Sequence, residues 1–85
     1  MLAVKASNTN MLSHTVYVRL LEEGTDVFRP VSAVLMGDNT YLLRELLNYD
    51  EQIEKWQFLP GSLVICEQSW LDGEPVLLAT SAKGQ

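Results

Sequence analysis

The chain has one cysteine, one histidine, three prolines and six basic residues among 85, and each scarcity removes a class of function. A lone cysteine, Cys66, closes no internal disulfide and supplies no thiolate pair for a metal site, which points to a reducing compartment. Six Lys and Arg against eleven Asp and Glu give a net charge of −5. The basic residues are scattered from Lys5 to Lys83 with no stripe, so the phosphate neutralisation that drives nucleic-acid affinity is missing. An anionic membrane surface would repel the chain for the same reason. No apolar stretch approaches the roughly 20 residues of a membrane helix, and the first ten residues lack the apolar run of a secretory signal. The expectation is a soluble, cytoplasmic protein with no nucleic-acid partner, no membrane partner, no metal and no cofactor.

What remains is apolar. Hydrophobic residues make up 47% of the chain and charged residues 20%, enough for a core in one domain. A chain this short buries only about 60–65% of its unfolded surface, so its stability margin is thin and self-association is a common remedy.

Residues 1–13 show neither strand alternation nor a helical stripe and read as an N-terminal arm. Residues 14–80 form the folded domain, and 81–85 are a polar tail. Within the domain, Val16, Val18 and Leu20 alternate with Tyr17, Arg19 and Leu21, which predicts a strand over 15–21. Glu22-Glu23-Gly24-Thr25-Asp26 supplies a turn, with Gly24 at positive φ. The next strand, 27–36, contains Pro30, a residue confined to edges, bulges or strand starts. Val31, Ala33 and Leu35 point one way in it. Gly37-Asp38-Asn39 turns the chain into a third strand over 40–46. Asn48–Lys55 is polar, with Asp50 capping a short helical turn near residues 50–55 and Ile53 turned inward. Trp56 and Phe58 lead through Pro60-Gly61 into a strand over 62–69, and Leu71-Asp72-Gly73 closes a hairpin onto a last strand over 74–80. Five short strands joined by tight turns spell an all-β domain, and closure into a small SH3-like barrel removes most exposed edges.

Two blocks carry a resemblance: Gly24-Thr25-Asp26-Val27-Phe28-Arg29-Pro30-Val31, and Trp56-Gln57-Phe58-Leu59-Pro60-Gly61-Ser62-Leu63-Val64-Ile65-Cys66-Glu67. They resemble a group of short, uncharacterised bacterial proteins with G-T-x-V-W-R-P-V and W-x-F-x-P-G-x-x-V-x-C-E blocks, over roughly residues 16–80. Such proteins look like mobile gene-cassette products, and the group carries no activity to transfer. Phe28 stands where the group has tryptophan, which keeps the bulk and loses an N–H donor.

Chemistry is sparse. Cys66 and His14 are the only thiol and imidazole, so a thiol-dependent hydrolase using Cys66 is one reading. The competing reading, a small buried hydrophobe within the apolar run 63–66, fits its surroundings better. Glu22, Glu23 and Asp26, and Asp50, Glu51 and Glu54, lack the spacing of a calcium loop and read as solvated faces. Arg29 and Glu67 each interrupt an apolar strand, which predicts a structural ion pair between them or between Arg29 and Glu45. Tyr49, Trp56, Phe58 and Trp70 are the candidate ligand-binding aromatics, since small β-barrels take extended segments on aromatic grooves.

Leu20-Leu21, Val34-Leu35-Met36, Leu42-Leu43 and Val76-Leu77-Leu78 put apolar groups on both strand faces, more than one interior can hold. The expectation is a dimer or tetramer of the chain using its outer-face Leu, Val and Met residues. It would act as a non-enzymatic interaction module that binds a protein segment or small apolar ligand through its aromatic face. The alternatives are the Cys66 enzyme and a single-strand nucleic-acid binder on the same aromatics.

Overall fold

Alternation of apolar and polar side chains becomes strand wherever it runs unbroken. The computed structural model describes residues 13–44 and 49–83, and these hold six strands and no helix. They are β1 (Ser13–Leu21), β2 (Phe28–Gly37), β3 (Thr40–Leu43), β4 (Lys55–Trp56), β5 (Leu63–Leu71) and β6 (Glu74–Ala82). β1 buries Val16, Val18 and Leu20, with half-buried Tyr17 and exposed Arg19 between them. β2 buries Val31 and Ala33, β3 buries Tyr41 and Leu43, and β5 buries Val64 and Cys66. These side chains, with Trp56 and Ala79, form one core cluster.

The strands make a mixed sheet in the order β2-β3-β5-β6-β1-β4, with a further pairing of β2 to β1. Hydrogen bonds therefore run in a ring through β1, β2, β3, β5 and β6. Successive partners in the ring are antiparallel until β6 meets β1, which is parallel. An odd number of alternating strands can close in no other way. The closing contact is short, Val16 opposite Leu77 and Tyr17 opposite Leu78, whereas β1 and β2 pair from Ser13 opposite Val34 to Arg19 opposite Phe28. β4 lies outside the ring against the end of β1, with Trp56 opposite Leu20 and Lys55 opposite Leu21.

Turn chemistry follows the residues. Asp72 (φ 51°) and Gly73 (φ 81°) form a two-residue loop between Leu71 and Glu74, the doubly left-handed geometry that suits the twist of a hairpin. Gly24 has φ 80°, as its place in the first turn requires, and Glu22 beside it adopts φ 63°. Pro30 sits where β2 has β1 on one side and no described strand on the other, since β3 pairs with β2 only from Ala33 onward.

Several expectations change. The short helical turn near residues 50–55 is a single hydrogen-bonded turn: Ile53 and Glu54 N–H both donate to Asp50 O, at 2.9 and 3.0 Å, and Gln52 N–H donates to the Asp50 carboxylate at 2.9 Å. Extension resumes at once in β4, which period alone does not announce. Ile53 points outward, 76% exposed, because it lies on the crest of that turn. Leu35 does not share the burial of Val31 and Ala33; it is 47% exposed, since β1 pairs no further than Val34. β3 ends at Leu43, and residues 45–48, which hold the rest of its predicted span and Glu45, lie outside the described residues. Ser13 belongs to β1 rather than to the arm, whose residues 1–12 are likewise outside, and β6 continues to Ala82.

Candidate functional site

Trp56 enters the core because β4 hydrogen-bonds to the end of β1, locked by Gln57 N–H donating to Arg19 O at 2.8 Å. Its ring is 4% exposed. Tyr49 packs against it with centroids 4.9 Å apart and its hydroxyl accepts from the Trp56 backbone N–H at 3.3 Å. Phe58 and Tyr49 are half-buried against the same core. A buried indole needs a partner for its N–H, and Trp56 Nε1 donates to Glu54 Oε1 at 3.0 Å. The residues are two apart in an extended stretch, so they share a side.

Glu54 is in turn the partner of Arg29. Arg29 Nε donates to Glu54 Oε1 at 3.2 Å, and Arg29 Nη2 donates to Glu54 Oε2. The expected ion pair of Arg29 thus exists with a different acid. Glu67 is exposed on β5 opposite Leu78 and pairs with no described cation, and Arg29 is itself half exposed. The apolar neighbours suggested that both charges are buried, but Glu67 alternates with buried Cys66 onto the outer face. Arg29, though on the core side of β2 opposite Val18, sits at the end of the strand, where it stays half exposed. The hydrogen bond from Arg29, then that from Trp56, holds the Glu54 carboxyl below the ordinary glutamate range, and the same contact raises the Arg29 guanidinium.

Arg29, Pro30, Ser32, Arg44, Glu54 and Trp56 line a groove of about 300 Å³ along the open side of β2. Arg44 N–H donates to Ser32 O at 3.0 Å, and its guanidinium reaches Ser13 Oγ at 3.0 Å. Two guanidiniums and one carboxylate make this a locally cationic spot on an acidic molecule. Sequence reading found Trp56 and gave an edge as one of three places for Pro30, but missed Glu54 and Arg44. The signal available was the acid two residues before a tryptophan.

Trp70 is elsewhere. It lies opposite Pro75 near the β5–β6 hairpin tip and is 64% exposed. Through the parallel β1–β6 register, Pro75 aligns two residues before Leu77 and Trp56 four residues beyond Val16, which puts the two tryptophans about 20 Å apart along the strands at roughly 3.3 Å per residue. The four candidate aromatics therefore make one cluster, buried Trp56 with half-buried Tyr49 and Phe58, and one remote exposed ring.

Cys66 is buried, and burial pushes its thiol up to about 11. A nucleophilic cysteine needs the opposite shift. His14 stands edge-on to Tyr41 at 5.5 Å. Among the described residues no three His, Cys, Asp or Glu side chains gather as a metal site.

No known family model, curated protein or solved structure matches this chain. The functional reading therefore stands on its own geometry.

Proposed function

We propose that the protein is a non-enzymatic, self-associating interaction module whose copies each bind a short protein segment or small apolar ligand over Trp56. In this reading the five-strand ring is a small barrel of the SH3-like kind, a class that takes extended segments on aromatic-floored grooves. The observation that carries it is the groove beside Pro30: an apolar floor of Trp56, Pro30 and Val31 with the Arg29–Glu54 pair and Arg44 on its rim. Such a mix of apolar floor and few polar rim groups is what small recognition sites share. The rim favours a segment that carries a carboxylate beside its apolar residues. Self-association is supported by the row Val34, Leu42 and Leu63, directly opposed across β2, β3 and β5, and by the exposure of Leu35, Met36 and Leu63; monomers seldom leave such area bare.

The test is a titration of isotope-labelled protein with an extended Pro-rich peptide bearing one aspartate, and separately with a small apolar fragment, following the Trp56 indole N–H and the Arg44 amide. Saturable shifts of both reporters are the expected result. Unmoved reporters at millimolar additions of either probe would remove the groove from consideration.

A further inference from the structure

β5 leaves the ring part-way along its length. It pairs with β3 over Leu63–Ile65, and Cys66 N–H still donates to Asn39 O at 2.8 Å. β3 begins only at Thr40, so from Glu67 to Leu71 the side of β5 away from β6 has no described strand beside it. β6 stays paired with β5 to the tip, Leu71 opposite Glu74. A two-stranded ribbon thus projects from the ring, and such a ribbon is marginal in water without further cover.

The direction of its free backbone groups follows from one bond. Successive residues of a strand aim their N–H and C=O to opposite sides. Cys66 N–H aims away from β6, and so do the N–H and C=O of Gln68 and Trp70. Apart from two-residue β4, the open sides of β2 and β6 are blocked by proline. Ser32 O faces the open side of β2, where it accepts from Arg44, so the nitrogen of Pro30 faces that side too. Pro75, opposite the outward-aimed Trp70, turns its nitrogen to the open side of β6. The β5 edge has no proline and no basic residue over Glu67–Leu71, two of the devices that keep an edge unpaired; its one charge is Glu67, and it carries exposed Trp70.

We infer that this edge is the seam of self-association: β5 pairs antiparallel with β5 of a second copy across a two-fold axis at Ser69. The inference rests on the self-association reading above and assigns the contact to this edge, apart from the exposed Val34–Leu42–Leu63 row. Outward-aimed residues face one another for an axis at any residue from Glu67 to Leu71. At Gln68, however, the partner's Trp70 would fall beside Cys66, whose outward N–H already donates to Asn39 O, and at Trp70 the partner's Asp72, a turn residue, would face Gln68. An axis at Glu67 sets that carboxylate against the partner's Glu67, and like charges directly opposed destabilise a pair. An axis at Leu71 runs off the strand into the turn at Asp72. At Ser69, Gln68 meets the partner's Trp70 and Trp70 meets the partner's Gln68, each pair exchanging both N–H···O bonds, while Glu67 faces the partner's Leu71. The register is self-complementary and free of opposed acids, which commits the edge to a second copy of this chain. A seam this short buries much less than the roughly 800 Å² per partner of a standard interface, so the dimer is weak and dissociates on dilution.

The experiment follows the full chain by sedimentation velocity from millimolar to micromolar concentration, with amide hydrogen exchange at both ends of the range and Gln68→Pro as the variant. The proline removes an outward N–H and no bond to β6. The expected result is a concentration-dependent dimer in which the Gln68 and Trp70 amides slow by about tenfold or more in the dimer, and a monomeric variant. A dimer whose Gln68 and Trp70 amides exchange at the monomer rate overturns the seam and leaves self-association standing. A monomer throughout overturns both. Should the variant fail to fold, the wild-type exchange rates decide alone.

Discussion

Glu54 shows how one carboxylate ties a groove together. It accepts from the Trp56 indole and from Arg29, and its pKa is lowered by those bonds. A group with a depressed folded pKa gives stability that is present above its unfolded pKa and lost as pH falls through the folded value. Thermal melting of the wild type is therefore expected to drop on acidification below about pH 4, and Glu54→Gln or Arg29→Met to flatten that drop while lowering the neutral-pH melting temperature only slightly, since a half-exposed pair contributes little. An acid limb as steep in both variants as in the wild type would show that other carboxylates set it. The pairing tendency of Arg29 was legible in the sequence as a charge among apolar neighbours. Its partner was not, because Glu54 lies 25 residues away in a turn whose position depends on β4. The core role of Cys66 was legible from its apolar run, and its burial and raised pKa agree.

At the scale of elements, strands declared themselves where alternation ran for five residues or more, as in β1, and turns where Asp-Gly or Gly-Asp-Asn stood between them. Two-residue β4 has no period to read. Its existence depends on the Leu20–Trp56 pairing, a contact between distant segments. Leu35 was misassigned for a related reason: the periodicity of β2 continues, but its neighbour β1 stops pairing at Val34. The first turn keeps a strain that residue type alone hides, since Glu22 occupies the left-handed region at φ 63°, where a β-carbon costs roughly 1–2 kcal/mol. Its ion pair with Lys55 at 3.3 Å is exposed on both sides and is worth little. Glu22→Gly is thus expected to stabilise the fold by up to about 1 kcal/mol, the relief of strain offset in part by the entropy glycine adds to the unfolded chain. Chemical denaturation measures it, and a loss of stability would show that the Lys55 contact outweighs the backbone strain.

At the scale of the whole molecule, apolar residues on both strand faces were legible in the sequence, and the structure leaves Leu35, Met36, Leu63 and Trp70 exposed. The free β5 edge was not legible, because it depends on where β5 parts from β3. The charge distribution now constrains the partner. Every cation paired with a carboxylate in the structure, Arg19, Arg29 and Lys55, lies outside the β5–β6 ribbon, while Leu63–Ala82 contains Glu67, Asp72 and Glu74 and no Lys or Arg. Two copies joined there meet with no attractive charge between them and a net charge of −5 each. At a centre separation of about 30 Å their repulsion in water is roughly 3.5 kcal/mol unscreened and about 1.3 kcal/mol when the Debye length is about 30 Å, and it is close to zero when that length is about 8 Å. Self-association is therefore expected to tighten by about tenfold from roughly 0.01 M to 0.15 M salt. Sedimentation at the two ionic strengths reads this directly. Association that weakens with salt would mean that copies are held by opposite charges, and the seam would then have to involve Arg44, Lys83 or another cation away from the ribbon rather than a backbone ladder beside Trp70.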